Sequence, residues 1–225
     1  MANAASIPVQ GNVRPLTAEM LNQWTHGFGC VLACVGASVL IPRAFESGGL
    51  VNIVGATVYA ASLVGLYLAS TLSHSFEHPE RRRFYRMLDQ VCIFLLTAGS
   101  FTPFGLVHMA TPFGWALLVG IWLVALYGVV QRIRNADRTM GVLLFVLLGW
   151  APLLALPHLY VVTHWHGLLL VLVGAFAYTG GLYFLLNDHR KIYFHAIWHF
   201  ATITGSACHF LFHFWYVVNV TPPSA

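Results

Sequence analysis

Long apolar runs separated by short polar clusters organise this chain. A membrane-spanning helix needs about 20 mostly apolar residues. By that measure seven runs qualify: residues 22–41, 50–73, 87–107, 113–131, 140–156, 165–186 and 193–217. Pro42-Arg43 is read as the stop of the first run, and Pro103 as a kink in the third. The fifth run is short and holds Pro152. Trp24, Trp115, Trp150, Trp165 and Trp215 fall near run ends, where the aromatic belt of a membrane protein lies. The pattern predicts an all-α integral membrane protein with one seven-helix domain over residues 17–219. Short polar tails are expected at 1–16 and 220–225.

Composition strengthens this picture. The 225 residues are 58% hydrophobic and 8% charged, with a mean hydropathy of +0.73, whereas a soluble domain carries roughly 25% charged residues. The predicted spans use up the chain and leave no room for a separate soluble domain. Residues 1–15 contain no apolar core of a signal peptide, so no cleavable leader is expected. Cys30, Cys34, Cys92 and Cys208 lie in apolar stretches without CxxC spacing, which argues against a disulfide framework. Cys30 and Cys34 share a helix face as small packing residues.

The formal charge of +4 is spread over short loops and is not a nucleic-acid footprint. It reads instead as topology control. Arg14, Arg81, Arg82, Arg83, Arg86, Arg132, Arg134, Arg138, Arg190 and Lys191 fall on one side of the predicted bundle. Of the 11 basic residues only Arg43 falls on the other. An inner (plasma) membrane protein with a cytoplasmic N-terminus and an external C-terminus is expected.

That orientation brings a set of polar residues to one depth. His195 and His199 stand four apart at the start of the seventh run, so a helix stacks them on one face. His74 ends the second run and Asp89 begins the third, on the same side. Ser70 lies one turn before His74, and Glu19, Asn22 and His26 share a face at the entry to the first run. Three histidines with an open position form a catalytic zinc arrangement, and imidazole suits zinc better than magnesium or calcium. His74, His195 and His199 are the candidate metal ligands. Asp89 and Ser70 are the candidate catalytic groups, the first to orient a water or take its proton, the second to donate to a developing oxyanion. Glu19, Asn22 and His26 are the candidate braces of the site.

Each has a structural alternative. Asp89 can pair with the preceding arginines, Ser70 can bond back to its own helix, and Glu19 can favour the helix dipole. Asn22 and His26 can join helices. Their shared depth favours a common site. His209 and His213 repeat the spacing, but His209 is about 21 Å along the helix from His195 and cannot share its ion. With His108, His158, His164 and His166 they lie toward the outer side, where Glu46 is the nearest acid. These are expected to face water or headgroups. Gly174, Gly180 and Gly181 are read as close-packing positions on the sixth run.

At this point the chain resembles the progestin and adipoQ receptor superfamily, on its bacterial hemolysin III-like branch. Three motifs carry the resemblance: Glu19-x-x-Asn22-x-x-x-His26, Ser70-x-x-x-His74 followed by Asp89, and His195-x-x-x-His199. It covers about residues 17–217. The resemblance implies a Zn2+ ion held by His74, His195 and His199, with Asp89 in contact through water. The family is similar to alkaline ceramidases in site design, which implies hydrolysis of a lipid amide.

The reading is therefore a zinc-dependent intramembrane hydrolase of a lipid amide or ester, with membrane lipid as substrate or ligand. Two alternatives stay open. One is a structural zinc in a non-enzymatic membrane-homeostasis or receptor-like protein; the other is a hemolysin III-type cytolysin or channel. No wide polar stripe lines any span as a pore would require. A retinal protein needs a lysine within a span, and Lys191 is the sole lysine. The sequence is silent on oligomeric state.

Overall fold

The computed structural model describes residues 16–135 and 142–219. The predicted tails, apart from Leu16, and Arg14 and Arg138 lie outside the described residues, as does Met140 at the start of the fifth run. Regular structure among the described residues is entirely helical: α1 (Leu16–Ser47), α2 (Leu50–Ser73), α3 (Pro79–His108), α4 (Pro112–Arg134), α5 (Val142–Trp150), α6 (Leu156–Leu186) and α7 (Phe194–Tyr216). A single 3-10 turn, Ala151–Ala155, joins α5 to α6.

Sequence neighbours pack side by side from α1 to α4, α5 touches α3, α4 and α6, and α6 lies along α7. A contact between α7 and α1 closes the ring, with α3 reaching inward to α7. Aromatic and aliphatic side chains of α3 to α7, including Phe94, Phe101, Phe104, Leu118 and Phe212, make one core. Leu40, Tyr59, Leu63, Leu66 and Leu96 make another between α1, α2 and α3. Close approach depends on glycine. A Cβ on Gly55 of α2 would stand 2.8 Å from the Pro103 Cα of α3, and one on Gly205 of α7 would stand 2.7 Å from the Tyr178 ring of α6. Gly174 and Gly181 likewise face α7 within the same chain, while Gly180 has open space beside it.

Polarity is distributed inside out. Trp24, Phe28, Val31, Val35 and Val39 of α1 and Val119, Leu123, Leu126 and Val130 of α4 face outward. Glu19, Asn22, His26, Asn52, Ser70, His74, His199, Thr202, Ser206 and His213 are buried. Such a surface suits hydrocarbon, where helices satisfy their own backbone and polar side chains turn inward. With the apolar length of its helices, this makes the chain a multi-pass membrane protein.

Three expectations change. Five segments, rather than seven, are long and apolar enough to cross a membrane among the described residues: Thr17–Ser47, Leu50–Ser73, Pro79–His108, Pro112–Arg134 and Val142–Leu186. The expected fifth and sixth spans merge into the last, because no polar loop separates α5 from α6. Within it His164 adopts a positive φ of 52°, a strained geometry for a side-chain-bearing residue, directly before the expected start of the sixth span. Helix α7 falls short in hydropathy because it carries His195, His199, His209 and His213 together with threonines and serine.

Pro42 does not stop α1, which continues to Ser47. Arg43 Nε donates to Asn219 Oδ1 at 2.7 Å, Arg43 pairs with Glu46, and Ser47 bonds Val218 O, so this last turn is tied to the chain after α7. The break comes at Gly48 and Gly49, whose φ values of 73° and 88° suit glycine. Helix α3 starts two turns before its predicted boundary, with Pro79 at its first turn and Glu80 beside it.

Candidate metal centre

His74 closes α2 as its C-cap residue, and His195 and His199 occupy the first two turns of α7. The three rings converge at one end of the bundle. Ring centroids are 5.1 Å apart for His74 and His195, 5.3 Å for His74 and His199, and 4.6 Å for His195 and His199. One ligating nitrogen from each lies within 4.8 Å of the others.

Each ring has its Nδ1 engaged by a partner from a different element. His74 Nδ1 donates to Glu19 Oε2 at 2.7 Å, and His195 Nδ1 donates to Asp188 Oδ2 at 2.9 Å. A carboxylate only accepts, so the proton in each pair sits on the imidazole. His199 Nδ1 lies 2.8 Å from Thr25 Oγ1. The single Thr25 hydroxyl proton has the Asn22 and Leu21 carbonyls at 2.9 and 3.0 Å as acceptors; with the proton on either, Thr25 Oγ1 accepts from His199 Nδ1. All three imidazoles therefore carry the lone pair on Nε2. This is the tautomer pattern of metal-binding histidines, whose other nitrogen donates to a carboxylate or an oxygen acceptor.

The donor set fits zinc. Imidazole nitrogens about 2.0–2.1 Å from a tetrahedral zinc stand roughly 3.4 Å from one another. The observed spread, within 4.8 Å, needs a closure of up to about 1.4 Å to reach that geometry. The site is deeply set, with His199 1% exposed, and polar atoms line it. His26 stacks on His199 at 3.5 Å and donates through Nε2 to Thr202 Oγ1 at 3.3 Å. Asn22 buries both amide atoms, and His26 its Nδ1, without a hydrogen-bond partner among the described residues. Burying them costs free energy unless they serve polar chemistry. Glu19 also stands 3.6 Å from the Arg86 guanidinium.

Ser70 and Asp89 meet across the α2–α3 contact, where Asp89 takes a hydrogen bond from Ser70. Ser70 is one turn from His74 on the same helix, so the pair adjoins the histidine cluster. A cavity of about 400 Å³ opens between α3, α5, α6 and α7, lined by Ile93, Phe101, Phe145, Leu159 and Phe212 among others. Trp198 and Thr202, which flank His199 along α7, belong to its wall, as does Gln90 beside Asp89.

Contacts link Glu19, His26, His74, His195 and His199 at this end of the bundle, and Ser70, one turn before His74, links to Asp89. Asp188, Thr25 and Arg86 are not among the residues singled out in the sequence. Asp188 is the one acid in a basic loop, and that oddity was the available signal. Thr25 sits beside His26 with no such mark. The remaining histidines have other roles. His108 Nε2 donates to Tyr216 O at 2.9 Å and His158 Nε2 to His108 O at 2.6 Å, tying α3, α6 and α7 at the far end. His209 meets Val171 O and His213, buried, packs on Tyr59, so these two and His108 and His158 turn into the bundle rather than toward water or headgroups as expected, while His164 and His166 are exposed. His74, His195 and His199 form the only metal-capable group among the described residues.

Comparison with known proteins agrees with the motifs. The family described as Haemolysin-III related matches residues 15–210. Hemolysin-3 of Bacillus cereus is 37% identical over 202 residues, which cover 89% of this chain and 92% of that protein. A Hemolysin-3 homolog of Bacillus subtilis is 34% identical over 205 residues, covering 90% and 95%. The human monocyte to macrophage differentiation factor is 27% identical over 211 residues, covering 90% and 86%.

Proposed function

The chain belongs to the Haemolysin-III related family, and from that premise and the site geometry we propose that it is a zinc-dependent hydrolase of an amide or ester bond in a membrane lipid. The observation that carries the proposal is the convergence of His74, His195 and His199 with all three Nδ1 atoms engaged, beside the Ser70–Asp89 pair. Three protein ligands leave a fourth position open, as catalytic rather than structural zinc sites do. When bound, zinc supplies a Lewis acid and lowers the pKa of a coordinated water toward about 7.

The chain's own residues supply the rest. Asp89 orients the attacking water and accepts its proton. Ser70 holds the Asp89 carboxylate and can turn its hydroxyl to an oxyanion. Glu19, Thr25 and Asp188 hold the imidazoles in one tautomer. The largely apolar cavity whose wall includes Trp198 and Thr202 suits a hydrocarbon chain.

The same proposal takes the membrane arrangement as seven crossings. The break at His164 divides Val142–Leu186 into two, and α7 crosses with its histidines turned inward. With the basic residues read as cytoplasmic, the proposal sets the metal centre at the cytoplasmic side of an inner membrane.

The test is release of fatty acid from a panel of lipid amides and esters by purified protein, with zinc and after chelation. Release that stops on chelation and returns with zinc supports the proposal. Bound zinc with no turnover on any lipid would leave a structural metal in a regulatory membrane protein.

A further inference from the structure

We infer that Asp188 is the positioning residue for His195, which makes the α6–α7 connection a working part of the metal centre. This rests on the zinc reading of the histidine cluster. Asp188 accepts the His195 Nδ1 proton at 2.9 Å. The three ligands are not equally secured. His199 is 1% exposed and the His74 side chain 4%, so surrounding atoms hold those rings. The His195 side chain is 15% exposed at the first turn of α7. Its orientation relies most on a specific partner.

The backbone presents that partner. Asp188 N donates to Leu185 O at 3.3 Å, Arg190 N to Asn187 O at 2.9 Å and Phe194 N to Lys191 O at 3.1 Å. These turns hold the Asp188 carboxylate between the end of α6 and the start of α7. A carboxylate on Nδ1 fixes the tautomer, stops ring rotation and raises the basicity of Nε2. It also sets a second negative charge, with Glu19, near a dication. His74 and His195 thus receive the same chemical support from opposite sides, Glu19 from α1 and Asp188 from the loop before α7. A plain loop staple would hold the turn but leave metal affinity unchanged.

The test uses the full-length protein in detergent. Zinc affinity is measured by chelator competition for wild type, Asp188→Ala and Asp188→Asn, with Arg43→Ala at the far end as a control. Absorption of the cobalt(II)-substituted protein reports ligand geometry. Asp188→Ala is expected to bind zinc about 10- to 100-fold more weakly and to alter the cobalt bands. Asp188→Asn, which keeps an acceptor but loses the charge, falls between, and Arg43→Ala matches wild type. Wild-type affinity and an unchanged cobalt spectrum in Asp188→Ala would overturn the inference while the zinc centre stands. If wild type bound no zinc, both readings would fall. Should Asp188→Ala fail to fold, Asp188→Asn decides: reduced affinity supports the inference and unchanged affinity overturns it.

Discussion

Thr25 Oγ1 lies 2.8 Å from His199 Nδ1, joining the first and last helices across 174 positions of sequence. The α1–α7 contact closes the helical ring, and Thr25 shares it with His26, which stacks on His199 and meets Thr202. On the zinc reading, ring closure and the orientation of His199 are coupled through these contacts.

Thr25→Val keeps the volume and removes the acceptor. It is expected to weaken zinc binding by about tenfold and to leave the His199 Nδ1–H buried without its partner. Chelator competition and thermal unfolding in detergent check this. Affinity equal to wild type would show that His199 needs no partner on α1.

Asp89→Asn separates chemistry from metal binding. Asp89 touches Ser70 and lies outside the three-histidine group. Zinc content is expected to stay at the wild-type level while lipid hydrolysis falls about 10²- to 10⁴-fold, the usual contribution of a positioned acid or base. Full activity in Asp89→Asn would remove this residue from the mechanism.

Ser206 gathers three tyrosines in the middle of the bundle. Its hydroxyl meets Tyr67 and Tyr178 at 2.8 Å each, and its carbonyl accepts from Tyr59 at 3.3 Å. Ser206→Ala leaves two buried phenols short of a partner and is expected to cost about 1–3 kcal/mol of stability. Thermal melting should drop with zinc content unchanged. Loss of zinc without loss of stability would place Ser206 in the metal centre instead.

Much of the site was legible because its chemistry is local. His195 and His199 share a helix face by spacing, and the distribution of arginines along the sequence aligns them in depth with His74, Asp89 and Glu19. Helix α2 matches its predicted run, 50–73, since glycines bound it at the start and a polar loop follows. What was not legible depends on contacts distant in sequence. Pro42 looks like a stop until Arg43 is seen bonded to Asn219. Asp188 carries no motif in the sequence, and its partner His195 emerges only when the turns after α6 fold it onto that ring. The span count differs for a related reason. Hydropathy averages a helix, so the histidines that matter most to function make α7 look too polar, while the absence of a polar loop fuses α5 with α6.

The most direct measurement is zinc per chain, by elemental analysis of purified wild type, His74→Ala, His195→Ala and His209→Ala. One site built from α2 and α7 predicts about one zinc per chain in wild type, a three-histidine centre with an open position. It predicts loss of that zinc in His74→Ala and His195→Ala and its retention in His209→Ala. Equal zinc in wild type and His74→Ala would contradict a centre shared between the two helices.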